Sequence, residues 1–385
     1  MANYLFIANG NKPTKDEYYS MNKVSLNNFS IPPIEAALSH GCTVFMGINR
    51  KYAHKLECDY PVKFYDANIF RNIFDIWNNS IAFVRLIKFI KKNKIEIIHC
   101  NTPIGGFLGR VCGKLMKVNT IIYTAHGFHF YKGAPRIYML FKKIEKKLAH
   151  FTDAIITMNQ EDFIAANEFS LKKKGNVYFV HGVGVNTKEY DLKFSAEEKE
   201  KYRNELGLQK NDLILITIGD LIKRKNAISV IEALSEMKSN HIKLLICGSG
   251  PLRKELDSKI SDMNLEEKIK ILGYRRDIVQ LLNISDIFIL ASYQEGLPRS
   301  TMEAMSSGLP CVVSKIRGNV ELIDEKGGYC IENNNVKSYA KALCNLAGDI
   351  DLRKKMGEYN QKKVEDYDIN VVKKEMINIY RKMNL

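Results

Sequence analysis

Two glutamates frame the stretch of this chain best equipped for chemistry, Glu295-Gly-Leu-Pro-Arg-Ser-Thr-Met-Glu303. It follows an apolar run, Ile287 to Ala291, and the pattern predicts a helix that starts in the turn at Pro298 and stops near Gly308. Proline has a fixed φ and no amide hydrogen, which suits a first helical turn, so Gly296 and Leu297 can turn their amides toward an anion. Glu303 lies five residues beyond Pro298, roughly 7 to 8 Å along the axis at about 1.5 Å per residue. That spacing fits a nucleotide diphosphate sugar, with the pyrophosphate at the helix start, the ribose hydroxyls on Glu303 and the sugar hydroxyls on Glu295. The competing reading is two solvated glutamates.

The elements that would position such a site alternate in the rhythm of a parallel sheet. Apolar, β-rich runs occur at Tyr4–Ala8, Thr43–Ile48, Ile95–Cys100, Thr120–Thr124, Ala154–Met158 and Val177–Val180. A second series follows at Leu213–Ile218, Lys243–Cys247, Lys270–Leu272, Asp286–Ala291, Pro310–Ser314 and Tyr329–Ile331. Between them, Gly182–Ser195 has no strong period and leads into the charged run Glu197–Lys201, which marks an interdomain link. The expected domains are residues 1–185 and 186–368. The segment 369–385, apolar at 371, 372, 376, 377, 379 and 380, is expected to pack back on the first. At 385 residues the chain can bury two cores. No repeat argues for a solenoid.

The eight cysteines show no Cys-x-x-Cys pair and several lie in apolar runs, so they read as reduced core residues. No signal sequence and no apolar stretch near 18 residues is visible, so a soluble cytoplasmic protein is expected.

Five motifs in order, Thr124-Ala-His-Gly-Phe-His-Phe-Tyr131, Gly219-Asp-Leu-Ile-Lys-Arg-Lys225, Gly248-Ser-Gly-Pro251, Leu272-Gly-Tyr-Arg-Arg-Asp-Ile278 and Glu295 to Gly308, resemble the family 4 retaining glycosyltransferases. The resemblance spans nearly the whole chain, and the His-Gly-Phe-His-Phe-Tyr run is similar to capsule, exopolysaccharide and O-antigen enzymes. It implies a GT-B fold: α/β, two Rossmann-like doubly wound parallel-sheet domains facing across a cleft. It further implies a nucleotide-sugar donor, with UDP favoured by family frequency, and a polyprenyl-diphosphate-linked saccharide acceptor. No metal or other cofactor is expected. The chain departs from the family at Asp220, where many relatives carry arginine, and at Ala8-Asn9-Gly10-Asn11, where many carry a Gly-Gly turn.

Breaking the sugar–diphosphate bond builds negative charge on the leaving oxygen. Lys225, Arg224 and the amides of Gly296 and Leu297 are candidates to hold it, in the manner of an oxyanion site; a solvated turn at Lys223–Lys225 is the bland alternative. His126 follows an apolar strand and precedes Gly127, so it would stand at a strand's carboxyl end, where open α/β sheets bind ligands. By resemblance it faces the donor sugar. His129 could share a helical face with it and is assigned, with Asn9 and Gly10, to the acceptor side. Gly219, Gly248, Gly250, Tyr274, Arg275 and Ile278 line the nucleotide pocket by the same resemblance. The third glycine of a dinucleotide fingerprint is missing, which argues against NAD. Asp349-Ile-Asp351 and Asp366-Tyr-Asp368 flank late helices and read as surface.

Lys and Arg number 58 against 43 Asp and Glu, a net +15, which favours anionic partners. Arg85, Lys88 and Lys92, with Lys142, Lys143, Lys146 and Lys147, form two basic clusters in the first half. They read as solvated helix faces or as attraction to an anionic membrane surface. The expected location is the inner face of the cell membrane, with peripheral attachment. Two alternatives are a nucleotide-sugar epimerase of similar architecture and a basic nucleic-acid binder; no nucleic-acid module is recognisable, so no nucleic-acid partner is expected.

Overall fold

A computed structural model describes residues 1–385. The chain divides into two compact units, Met1–Gly184 with Ile369–Leu385, and Val185–Asp368.

In the first unit seven parallel strands stand in the order β3-β2-β1-β4-β5-β6-β7. They are β1 Asn3–Ile7, β2 Thr43–Ile48, β3 Val62–Asp66, β4 Ile97–Asn101, β5 Thr120–Ala125, β6 Ala154–Thr157 and β7 Asn176–Phe179. The central strands are mostly apolar because helices cover both faces, as parallel sheets require, with His99 and Asn101 of β4 among the buried polar exceptions. β4 and β6 are buried at every position. Six of the seven strands coincide with the apolar runs read from the sequence; β3 is additional. Its residues, Val-Lys-Phe-Tyr-Asp, carry charge at two of five positions, and an edge strand tolerates that.

The second unit has six parallel strands in the order β10-β9-β8-β11-β12-β13. They are β8 Leu213–Ile218, β9 Ile242–Cys247, β10 Ile269–Gly273, β11 Ile287–Leu290, β12 Cys311–Ser314 and β13 Gly328–Ile331. Each unit has its own apolar core. In both sheets the strand order reverses beside the first strand, between β1 and β4 and between β8 and β11. Ligands of open α/β sheets bind at the carboxyl edge of such reversals.

The Ile369–Lys382 helix belongs to the first unit and packs on the Ile31–Ser39 helix. Its buried stripe is Val372, Met376, Ile379 and Tyr380, and each large apolar side chain so covered contributes about 1.5 to 3 kcal/mol. Tyr380 is fully buried, 2.8 Å from the Tyr4 hydroxyl and 2.5 Å from His99 Nδ1. His99 Nε2 lies 2.6 Å from Thr124 Oγ1, so both ring nitrogens are satisfied inside the core. Burial, and then the neighbouring His126, push the His99 pKa down to about 3. An ion pair from Lys373 to Glu35 (2.9 Å) and a hydrogen bond between His181 Nδ1 and Glu375 Oε1 (2.6 Å) fasten the helix rim.

All eight cysteines are free; five are buried, two half-buried, and Cys344 is exposed. No helix is long and apolar enough to cross a membrane.

Candidate functional site

Parallel strands deliver every βα loop of a sheet to one edge. In the second unit that edge gathers Gly219 to Lys225 after β8, Gly248 to Gly250 after β9, Tyr274 to Ile278 after β10 and Ser292 to Leu297 after β11. Lys225 ends a short 3-10 turn and reaches across the β8/β11 reversal to Glu295, with Nζ 2.7 Å from Oε1. Arg224 adds Nη1 3.3 Å from Glu295 Oε2 and donates to the Gln294 carbonyl at 2.6 Å. The solvated-turn alternative is therefore overturned for Arg224 and Lys225, while Lys223 is exposed. Two cations surround one carboxylate, which leaves local positive charge for an anion. Burial, the largest influence, would raise the Glu295 pKa, but Lys225 and Arg224 outweigh it and hold the group below the usual carboxylate range.

The predicted helix runs from Arg299 to Ser306, with Pro298 as its cap (φ −75°, ψ 116°) rather than inside its first turn. The proline carbonyl accepts from the Thr301 amide at 3.2 Å and so opens the helix. Glu303 stands one turn in and is buried, as is Glu295, which removes the reading of two solvated glutamates. Tyr190 donates to Glu303 Oε1 at 2.9 Å, and Arg299 Nε forms an ion pair with the same oxygen at 2.8 Å. Here burial wins, and the Glu303 pKa is raised despite Arg299 and Tyr190. The paired glutamates thus differ in environment, one held by two cations, the other by one cation and a phenol.

The glycines of this edge answer to backbone crowding. Gly248 has φ +154°, and a Cβ there would sit 1.9 Å from the Gly219 carbonyl oxygen. A Cβ on Gly250 would sit 2.4 Å from the Leu221 carbonyl oxygen. The β8 and β9 loops therefore cross at a distance only glycine permits. Asp220 is exposed at their tip. Arg275 is paired with Asp277, which also accepts from the Tyr202 hydroxyl; Tyr274 is exposed, and Ile278 begins a helix.

In the first unit the corresponding edge carries Asn9 and Gly10 after β1, Thr102 after β4 and His126 after β5. The Asn9 amide donates to Thr102 Oγ1 at 2.9 Å across the β1/β4 reversal. Thr102 has φ +66°, a strained value for a β-branched residue. Gly10 donates to the Ile69 carbonyl and bridges Phe70, so it braces the β1 loop rather than standing open. His126 packs edge-on against Phe29 at 5.0 Å and sets Nδ1 3.2 Å from Met158 Sδ, while its enclosed Nε2 has no partner within the protein. Burial lowers its pKa to about 4, so the ring is neutral at pH 7. It can then exchange one hydrogen bond with a hydroxyl but carries no charge.

No helix joins His126 to His129: residues 126–131 are an irregular loop, and the His129 ring lies against Phe141. The shared helical face expected for the two histidines is corrected accordingly. Arg85 is likewise no free cation, since it pairs with Asp66 at 2.6 Å, and Lys142 pairs with Glu168 at 2.9 Å. Asp349 caps a helix by accepting from the Leu352 amide, and Asp368 accepts from Thr187.

Sequence reasoning missed Tyr190, Thr102, Arg299 and Arg317. Arg317 donates to the Glu295 carbonyl at 3.1 Å, and Gly318 (φ +77°) follows so closely that a Cβ would lie 2.2 Å from the Gly296 oxygen. Arg299 was legible, being four residues before Glu303 on one helix face. Tyr190, which lies 113 positions away, left no signal.

Residues 198–363 match the family model described as glycosyl transferases group 1, and residues 34–159 match the one described as glycosyl transferase 4-like. The chain is 31% identical over 294 residues to the Escherichia coli UDP-Gal:alpha-D-GlcNAc-diphosphoundecaprenol alpha-1,3-galactosyltransferase, covering 74% of this chain and 75% of that one. It is 25% identical over 365 residues to the Campylobacter jejuni N,N'-diacetylbacillosaminyl-diphospho-undecaprenol alpha-1,3-N-acetylgalactosaminyltransferase, covering 92% and 95%. The crystal structure of Anabaena Alr3699/HepE in complex with UDP and glucose superposes with a TM-score of 0.78 over 99% of this chain and 100% of that one, at 17% identity, a likeness of fold. These matches replace the epimerase alternative with a glycosyltransferase. The sheets of both units, the order of the five motifs and these relatives place the chain among the group 1, family 4-like glycosyltransferases of GT-B fold.

Proposed function

We propose that this glycosyltransferase moves a sugar, with retention, from a UDP-sugar to a polyprenyl-diphosphate-linked saccharide, in the building of a bacterial surface polysaccharide such as capsule. The observation that carries the reading is the Lys225–Glu295 pair at the β8/β11 reversal, with Glu303 one turn into the next helix. Support for the acceptor comes from the two relatives named for undecaprenol-linked substrates. Support for UDP comes from the donor in one relative's name and the ligand in the similar structure.

In this reading Lys225 and Arg224 turn from Glu295 toward the diphosphate, and Gly296 and Leu297 present amides at the start of the helix. Glu303, oriented by Tyr190 and Arg299, accepts the ribose hydroxyls. Gly219, Gly248 and Gly250 let the backbone approach the nucleotide, and Tyr274 to Ile278 meet the base. Glu295 accepts sugar hydroxyls. The bond from the anomeric carbon to the diphosphate oxygen breaks, its electron pair stays on that oxygen, and an acceptor hydroxyl oxygen bonds to the same face of the carbon. The hydroxyl proton goes to the departing phosphate. Charge on that phosphate is met by side-chain cations, so no metal is required. By the family resemblance, neutral His126 is assigned to the sugar and the region of Asn9, Gly10 and His129 to the acceptor. The enzyme works in the cytoplasm, peripheral on the inner face of the membrane.

A panel of nucleotide sugars, read by thermal shift and by transfer to a diphosphate-linked saccharide with anomeric configuration assigned by NMR, tests the reading. A product of inverted configuration, or stabilisation by no uridine nucleotide, would sink it.

A further inference from the structure

The Ile76–Lys92 and Met139–Ala149 helices both pack on the Pro103–Leu115 helix yet leave a groove between them. The groove encloses about 620 Å³ and is apolar, with Ile76, Phe83, Ile104, Phe107, Phe128 and Phe141 among its walls. Volumes of this size suit one small ligand or one lipid tail. Apolar side chains also project beyond it. Phe74 is 85% exposed, Trp77 77% and Ile137 68%, and none of these three lines the groove. A single occupant of the groove would leave all three in water. Soluble surfaces rarely carry several large apolar groups about one apolar groove unless something covers them.

Charge identifies the cover. Lys143, Lys146 and Lys147 on one flanking helix and Lys88, Lys91 and Lys92 on the other are exposed. The acidic side chain in the groove wall, Glu145, is neutralised by the fully buried Arg110 at 2.7 Å. An apolar plane rimmed by cations, with a tryptophan at its margin, matches the interface of an anionic bilayer.

We propose that the turn before the Ile76–Lys92 helix, and Ile137 with the first turn of the Met139–Ala149 helix, insert into an anionic lipid bilayer, with a lipid tail entering the groove between them. The proposal rests on the reading of a lipid-linked acceptor and names the surface that brings the first unit to it. It replaces attraction by the basic clusters alone, because Arg85 and Lys142 are already paired within the protein.

Trp77 is the chain's single tryptophan and reports directly on insertion. With equimolar phosphatidylglycerol and phosphatidylcholine vesicles its emission should shift to the blue and the protein should float with the lipid. Phe74→Ser with Leu140→Ser should weaken partitioning roughly tenfold or more, and Lys143→Glu with Lys147→Glu should weaken it on anionic vesicles only. Flotation with unchanged Trp77 emission would overturn the proposal, because another face would be docking. So would a shift produced by polyprenyl phosphate in micelles but by no vesicle, which would assign the groove to a single chain. Transfer to a short-chain, water-soluble diphosphate-linked saccharide separates docking from catalysis. The Phe74/Leu140 variant should keep that activity, and its loss in a folded protein would overturn the proposal by placing these residues in the reaction site. Wild-type protein that floats but transfers to no acceptor would instead count against the proposed function.

Discussion

Lys225 and Glu295, 70 positions apart, close the reversal of the second sheet with a 2.7 Å ion pair between the loops that leave β8 and β11. The pair fixes two groups of opposite charge, to which the proposed function assigns a donor's diphosphate and sugar. Removing one partner of a buried pair commonly costs about 3 to 5 kcal/mol, because the other is left uncompensated. Conservative variants therefore separate function from folding better than truncations do.

Glu295→Gln should leave the affinity for UDP nearly unchanged and lower turnover of the full donor by roughly 10² to 10³. Glu303→Gln should do the reverse, weakening UDP by about 1.5 to 3 kcal/mol through lost hydrogen bonds to a charged acceptor. Calorimetry with UDP and steady-state kinetics on both variants decide the matter, and an exchanged pattern would refute the two roles.

Tyr190→Phe deletes the hydroxyl that donates to Glu303 Oε1 but keeps the buried ring. Stability should fall by about 0.5 to 1.5 kcal/mol, and UDP should bind several-fold less tightly. Denaturant titration and calorimetry measure the two effects; intact affinity would reduce Tyr190 to a packing residue.

His126→Ala should lower turnover and leave UDP affinity intact, since Nε2 is the group without a protein partner. Equal rates in a verified fold would make the ring structural.

His99 is depressed to about 3 in the folded chain, against an ordinary value near 6.5. The unfolded chain therefore binds the extra proton first. The stability this group lends is complete above about pH 6.5 and is lost as pH falls toward its folded value, at up to about 1.4 kcal/mol per pH unit. His99→Gln should flatten that part of the pH–stability curve in chemical denaturation. An unchanged slope would assign the acid sensitivity elsewhere.

Chelation should leave transfer unaffected, because Lys225 and Arg224 are assigned the charge that a divalent cation would otherwise meet. A rate that falls with EDTA and returns with magnesium would contradict the assignment.

The strands and helices were legible where one physical signal dominated. β8, Leu-Ile-Leu-Ile-Thr-Ile, is apolar throughout because both faces are covered, and it lies where its sequence predicts. β3 was not legible, since an edge strand mixes charged and apolar residues. The acid pair at 295 and 303 could be read because a loop and the helix that follows it bring both within nine consecutive residues. Their partners could not: Tyr190 and Arg317 arrive from other parts of the chain, and chain distance erases periodicity as a guide. The role of Pro298 was misread by one position, the usual uncertainty at a helix end. The histidine loop was misread because i, i+3 spacing aligns side chains only if the backbone between them is helical.

The return of the Ile369–Lys382 helix to the first unit also bears on biosynthesis. The hydroxyl of Tyr380 completes a core begun at Tyr4, and an entire second sheet is translated between them. The first unit therefore waits on the ribosome with its final helix missing and its Ile31–Ser39 face bare, while residues 185–368 can already fold. A nascent chain stalled before residue 369 should expose apolar surface in its older half while its younger half is complete.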